Sequence, residues 1–235
     1  MLFYSVCCAQ KNSNSCGMII IRFTFFDTPT HKYVRAQGYM PDARAWYKDS
    51  LVVLESMGLA IEVDSASHQE NRQPVTDHYT FINLTTRSFY EYASFSDTAR
   101  IVQKYTKPDS IMGRAGWNFY APRDIPVTEP PQNLPDTVIE GVIYQRVRFV
   151  NQRENKYNPV SIAYIRCDRK GTLFQIDKNF SEKRGCPIVR YEELPTQRNP
   201  FANAGEIVFA ADTLSPEELK VFEAWERNAK QNPVK

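Results

Sequence analysis

The segment Gly17–Phe26, GMIIIRFTFF, constrains this chain most. Ile19, Ile21, Phe23 and Phe25 recur at a spacing of two, with Arg22 and Thr24 alternating between them. That period puts one apolar row on one side of a pleated strand; a helix would scatter it around its axis. Asp27-Thr28-Pro29 ends the strand, because proline has no N–H to give to a ladder. A strand of this kind needs partners, and here composition matters. Val, Ile, Phe, Tyr, Trp and Thr make up 76 of 235 residues, against 10 Leu. These side chains suit a pleated, half-buried surface, whereas Leu is the commoner helix-core residue. The expected class is mainly β, a β-rich α+β chain.

Further strands follow along the chain. Residues 44–57 read as a hairpin, Ala45-Trp46-Tyr47 and Leu51-Val52-Val53-Leu54 around Lys48-Asp49-Ser50. Residues 65–77 read as a polar loop. His78–Ile82 and Ser88–Tyr92 read as a second hairpin, and Ile101–Tyr105 as a short strand. Residues 122–135 hold Pro122, Pro126, Pro130, Pro131 and Pro135, which excludes a helix or central strand and predicts a long loop inside a single domain spanning 10–235. Thr137–Val150, Pro159–Cys167, Gly171–Asp177 and Pro187–Tyr191 are the later strand candidates. One helix is clearly signalled. Ser215 is its N-cap, Pro216 its first residue, and Glu218 completes a capping box. Leu214 and Leu219 suit a staple, and Leu219, Phe222, Trp225 and Ala229 form one apolar stripe.

The chain opens MLFYSVCCAQ, nine residues free of charge and amide before Gln10. So short a run cannot span a bilayer, which needs about 20 residues. It matches the end of a signal peptide, with Cys7-x-Ala9 as the small-residue cleavage site, so residues 1–9 read as a leader remnant. Lipidation at Cys7 or Cys8 is a variant of the same reading. Both place the protein outside the cytoplasm: periplasmic, outer-membrane-associated or secreted. In such a compartment Cys167 and Cys186 can pair. A simple meander would set their sulfurs roughly a strand length apart, ~17–20 Å; a fold-back of residues 178–185 would join them.

Catalytic signatures are scarce. Neither G-x-G-x-x-G, G-x-x-x-x-G-K-[ST] nor G-x-S-x-G occurs. His68-Gln69-Glu70 with Asp77-His78 is the one grouping of potential metal ligands, and its spacing fits no metal signature. The expectation is a protein without catalytic residues, metal or cofactor. Charge is uneven: residues 146–190 carry 11 Lys/Arg against 4 acids, a net of +7, while the whole chain is +2. Arg146 and Arg148 share one side of a strand with Tyr144 and are the candidate contact for an anionic group such as a lipid phosphate. Export makes nucleic acid the weaker partner.

The opening strand GMIIIRFTFF, the hairpin AWYKDSLVVL, the aromatic hairpin YTFINLTTRSFYEY and the segment Asp136–Tyr144 together resemble secreted bacterial proteins of the lipoprotein-carrier-like superfamily and the GLPGLI type, over roughly residues 17–192. The resemblance implies a curved antiparallel sheet, an open barrel, with a helix closing or lining it. Carriers of this group bind acyl chains in the concavity, and no catalytic residues carry over. On that layout Phe23, Phe25, Val147 and Phe149 are the candidate ligand-binding side chains, for an apolar or lipid-like ligand. The alternative is a structural or interaction protein of the cell envelope, with an envelope protein as partner and a concavity filled by its own side chains.

Overall fold

The computed structural model describes residues 16–35, 41–65, 67, 69–105, 130–150, 159–169, 172, 174, 176, 178–196, 200 and 202–233. The leader reading for residues 1–9, with Cys7 and Cys8, lies outside these. The described residues form twelve strands: β1 (Cys16–Asp27), β2 (Lys32–Arg35), β3 (Ala43–Lys48), β4 (Leu51–Val63), β5 (Glu70–Asn83), β6 (Ser88–Tyr92), β7 (Ile101–Tyr105), β8 (Gln132–Ile139), β9 (Val142–Val150), β10 (Val160–Ile165), β11 (Ile188–Glu193) and β12 (Asn203–Ala211). Two helices, α1 (Lys178–Arg184) and α2 (Pro216–Gln231), complete the set. All strands join one antiparallel sheet in the order β7-β6-β5-β4-β3-β1-β12-β11-β10-β9-β8, with β2 beside the end of β1. The mainly β class that composition and periodicity predict is present, and among the described residues the sheet is curved and does not close into a barrel, as the resemblance implies.

β1 holds the centre. It pairs with β3 on one side, Ile19 opposite Ala45, and with β12 on the other, Ile21 opposite Ile207. β12 has no counterpart among the expected strands: its run of Ala and Gly hides the alternation. Gly205 is required there, because a Cβ at this position would come within 2.5 Å of the Tyr191 ring.

Several expected boundaries move. Residues 65–77 are mostly strand rather than loop, since the β4–β5 ladder runs on from Leu51–Asn83 to Val63–Glu70. Beyond Glu55 this ribbon has water on both faces, so an apolar alternation is neither needed nor seen. Thr137–Val150 is two strands. Glu140 and Gly141 both have positive φ, 51° and 79°, the mirror-image turn that suits the twist of a two-residue hairpin. The proline-rich stretch gives way to strand at Gln132, and Pro135 sits in β8, an edge strand where a missing N–H costs no ladder bond. Residues 122–129 lie outside the described part.

The return strand expected over Gly171–Asp177 is not seen in the part of it that is described. Its described residues Thr172, Phe174 and Ile176 carry no strand, and the chain then turns into α1. This fold-back corrects the meander: Cys167 and Cys186 are disulfide-bonded, with Cα atoms 4.7 Å apart.

Three apolar clusters form. The first joins Ile19, Ile21, Tyr47, Val52, Ile82 and Phe89 to Tyr144, Tyr164, Val189, Ile207 and Phe174. In the second, α2 lays Val221, Phe222, Ala224, Trp225 and Ala229 on Trp46, Val53, Phe81, Tyr90 and Tyr92. The third holds Val147, Phe149, Ala163, Ile165 and Ile188 beneath the disulfide and Phe180 of α1. The capping box is present: the Glu218 N–H donates to Ser215 Oγ at 3.2 Å, and the Ser215 N–H to Glu218 Oε2 at 2.7 Å.

Candidate ligand-binding site

Phe23 continues the apolar row of β1 and packs, partly exposed, on the central cluster. Phe25 follows on the same side. It stands half-buried between Val34 of β2 and Asn203 of β12, beyond Phe23 along the strand. A polar belt borders it: Tyr191 Oη donates to Asn203 Oδ1 at 2.7 Å, Asn203 Nδ2 donates to Glu193 Oε2 at 3.2 Å, and Tyr33 Oη donates to the Glu193 carbonyl. Burial, with help from the Glu192 and Glu193 charges, pushes the Tyr33 phenol up to about 12, so it stays a donor at any physiological pH.

Val147 and Phe149 are both buried, but in the third cluster, where Phe180 of α1 lies 6.1 Å from the Phe149 ring. The structure therefore keeps these two apart from Phe23 and Phe25. The alternate positions of β9 behave differently. Tyr144 belongs to the central cluster, and Arg146 and Arg148 follow it on the same side by the strand period. Arg146 Nε donates to the Pro135 carbonyl at 2.8 Å, a neutral acceptor that leaves its charge uncompensated at that contact.

Around the same cluster lie cations that the sequence placed only in a basic segment. The Arg166 guanidinium stands 5.9 Å from the Tyr144 ring and 6.0 Å from Phe209; Arg169 stands 4.6 Å from Phe209 on its other contact. Each also has an acid, Asp168 and Asp212 respectively. Arg190 lies 5.3 Å from the Tyr164 ring and is held by Glu192 at 2.5 Å and Glu206 at 3.5 Å. Tyr164 Oη donates to Glu192 at 2.7 Å; burial and this carboxylate raise its pKa far above the ordinary phenol value. The site is thus an apolar cluster rimmed by tyrosine hydroxyls and ion-paired arginines, and no carboxylate among the described residues forms an ion pair with Arg146 or Arg148.

No protein-family model matches the chain, and no curated protein does. Among solved structures it is similar to the lipoprotein LppX of Mycobacterium tuberculosis, at 10% identity and a TM-score of 0.37, over 87% of this chain and 90% of that one. It is also similar to LprF from Mycobacterium bovis, at 8% identity and a TM-score of 0.33, over 87% and 89% of the two chains.

Phe174 is the side chain that sequence reading did not single out. It is fully buried, and its ring meets Tyr47 edge-on at 5.2 Å. The only sequence signal is the alternation Thr172-x-Phe174-x-Ile176, which reads equally well as a strand. The metal-ligand grouping is dispersed or outside view. His68 is not among the described residues, Glu70 pairs with Arg72, and His78 Nδ1 contacts Asp77 at 2.9 Å. Among the described residues, no group of three or more His, Cys, Asp or Glu could hold a metal ion.

Proposed function

We propose that this is an exported, non-catalytic protein that binds an apolar or lipid-like ligand against the central cluster of its curved sheet, with Phe23 and Phe25 at the entrance. The observation that carries this reading is the open sheet. Among the described residues its terminal strands β7 and β8 pair only with β6 and β9, and the central cluster is completed by side chains outside any strand, Phe174 and Ile176, rather than by a further strand. An apolar surface rimmed by a few polar groups is the usual make-up of a small-molecule site. Arg146 and Arg148, on the Tyr144 side of β9, suit an anionic end of such a ligand. Val147 and Phe149 contribute only when α1 is displaced from them. The disulfide supports export, since such bonds persist in oxidising compartments.

The test is a titration of the purified protein with dansylaminoundecanoic acid, a fluorescent fatty-acid analogue. Saturable binding that Phe23→Asp removes, with the far-UV spectrum and unfolding midpoint kept, supports the carrier reading. Absence of binding up to the probe's solubility limit rejects it and leaves the envelope structural role. Arg146→Ala with Arg148→Ala then reads the anionic contact: the Kd of the acid is expected to rise while that of its amide stays unchanged.

A further inference from the structure

Ser or Thr follows Asp at 7 of its 12 positions, and at 6 of these Ala, Ile, Leu or Val comes next: Asp49-Ser50-Leu51, Asp64-Ser65-Ala66, Asp97-Thr98-Ala99, Asp109-Ser110-Ile111, Asp136-Thr137-Val138 and Asp212-Thr213-Leu214. Ser and Thr together are 28 of 235 residues, so chance would place one after Asp about once or twice. Glu supplies the contrast, since of its 15 positions only Glu55 precedes a Ser or Thr. The enrichment belongs to Asp and not to negative charge. Turn preference is the ordinary reason for Asp-Ser and Asp-Thr, yet the described triplets stand in unlike backbone settings. Ser50 lies in the turn between β3 and β4, Ser65 at the tip of the β4–β5 ribbon and Thr98 in the connection from β6 to β7. Thr137 lies inside β8, and Thr213 between β12 and α2. Residues 109–111 and Ala66 are outside the described part. No single turn accounts for all five. Ser65, Thr98 and Thr213 are exposed, each together with the Asp before it, whereas Ser50 and Thr137 are half-buried. A pattern kept at the surface in unrelated local folds suits recognition by an enzyme rather than folding. Asp-Ser/Thr before an aliphatic residue also resembles the acceptor signal of O-linked glycosylation on exported bacterial proteins.

We propose that Ser65, Thr98 and Thr213 are acceptor hydroxyls for O-linked sugar. This rests on the export part of the reading above and is independent of its ligand. In the transfer, the hydroxyl oxygen attacks the anomeric carbon of a glycosyl diphosphate. A carbon–oxygen bond forms, the bond to the diphosphate breaks, and its electron pair leaves with the diphosphate. The hydroxyl proton passes to a base of the transferase, and nothing is oxidised or reduced. A phosphoryl group on the same hydroxyls would need a nucleoside triphosphate, which export leaves behind in the cytoplasm. The three side chains stand in water, where a bulky hydrophilic group is tolerated; Thr98 Oγ1 contacts the Ser96 hydroxyl at 3.0 Å. Thr28 is a control within the same chain. It is exposed and follows Asp27, but Pro29 takes the place of the aliphatic residue.

The experiment is peptide mass mapping of the full chain purified from cells and medium of its native host, with fragmentation that keeps O-links intact. Sugar increments are expected on Ser65, Thr98 and Thr213, and none on Thr28. Asp97→Glu keeps the charge and leaves the Thr98 hydroxyl in place; it should remove the sugar at Thr98 and leave that at Thr213. Sugar retained on Thr98 in this variant overturns the triplet as the signal. An exported chain whose three peptides carry no added mass overturns the inference while export stands, and phosphate on the same hydroxyls overturns it as well. A chain that keeps Met1, stays in the cytoplasm and carries no sugar defeats the export reading and the inference together. Sugar on the three hydroxyls of a protein that binds no fatty-acid analogue upholds the inference, and the ligand reading fails by itself.

Discussion

Helix α2 should owe its place on the sheet to Trp225 rather than to its own propensity. A 16-residue helix is marginal in isolation, and most helical stability in proteins comes from the packed face. Trp225 is fully buried. It stacks on Tyr92 at 3.9 Å and 1°, meets Phe81 and Phe95 edge-on at 6.1 and 5.8 Å, and donates Nε1–H to the Ser96 carbonyl at 2.9 Å. Removing so large a buried side chain costs about 3–5 kcal/mol through lost transfer and the cavity left behind. Trp225→Phe keeps a ring against Tyr92 and loses the indole donor, so about 1 kcal/mol is expected. Ser215→Ala loses one cap bond, again about 1 kcal/mol. Glu218→Ala should exceed it at about 2 kcal/mol. That carboxylate holds the Ser215 N–H and also accepts the Trp46 indole N–H at 2.6 Å, pinning the helix start to β3. Urea unfolding followed by far-UV circular dichroism measures all four. A Trp225→Ala loss no larger than that of Ser215→Ala would refute the reasoning and make α2 an undocked tail.

The Glu55 carboxylate is buried and accepts from Arg44 Nε at 2.7 Å, Arg44 Nη2 at 2.5 Å and Thr76 Oγ1 at 2.9 Å. Burial raises its pKa, but the Arg44 and Thr76 hydrogen bonds and the Arg44 charge outweigh this, so the net shift is below the ordinary value. A depressed carboxylate adds stability that is complete above its unfolded pKa of about 4.3 and is lost as pH falls through the lower folded value. Glu55→Gln should therefore be less stable than wild type near pH 7, with the gap closing below pH ~4; a gap independent of pH in matched denaturation curves contradicts this. Gly205→Ala should lower stability by about 1–3 kcal/mol, because the added methyl displaces the Tyr191 ring and its bond to Asn203. Combining it with Tyr191→Ala should erase most of that increment in a double-mutant cycle, and full additivity would argue against the clash.

What the sequence determined by itself is what neighbouring residues decide among themselves. The alternation of Ile19 to Phe25 specifies a strand, and Ser215, Pro216 and Glu218 specify a helix start, because dihedral preference and capping act within a few residues. The mainly β class followed from residue types suited to a pleated surface. Tertiary structure decided the rest. β12 was illegible because its small residues are explained only by Tyr191 lying across Gly205, on another strand. The outer β4–β5 ribbon was illegible because strands wet on both faces need no alternation. Cys167 met Cys186, and Phe174 reached Tyr47, because the chain between β10 and β11 left the sheet instead of returning along it. Residues 171–177 alternate as a strand would; the apolar surface that β1, β3, β4 and β5 leave uncovered on an unclosed sheet turned that alternation into a side chain inserted in the core. Local period says which residues want to be out of water, and only the assembled sheet says where there is room for them.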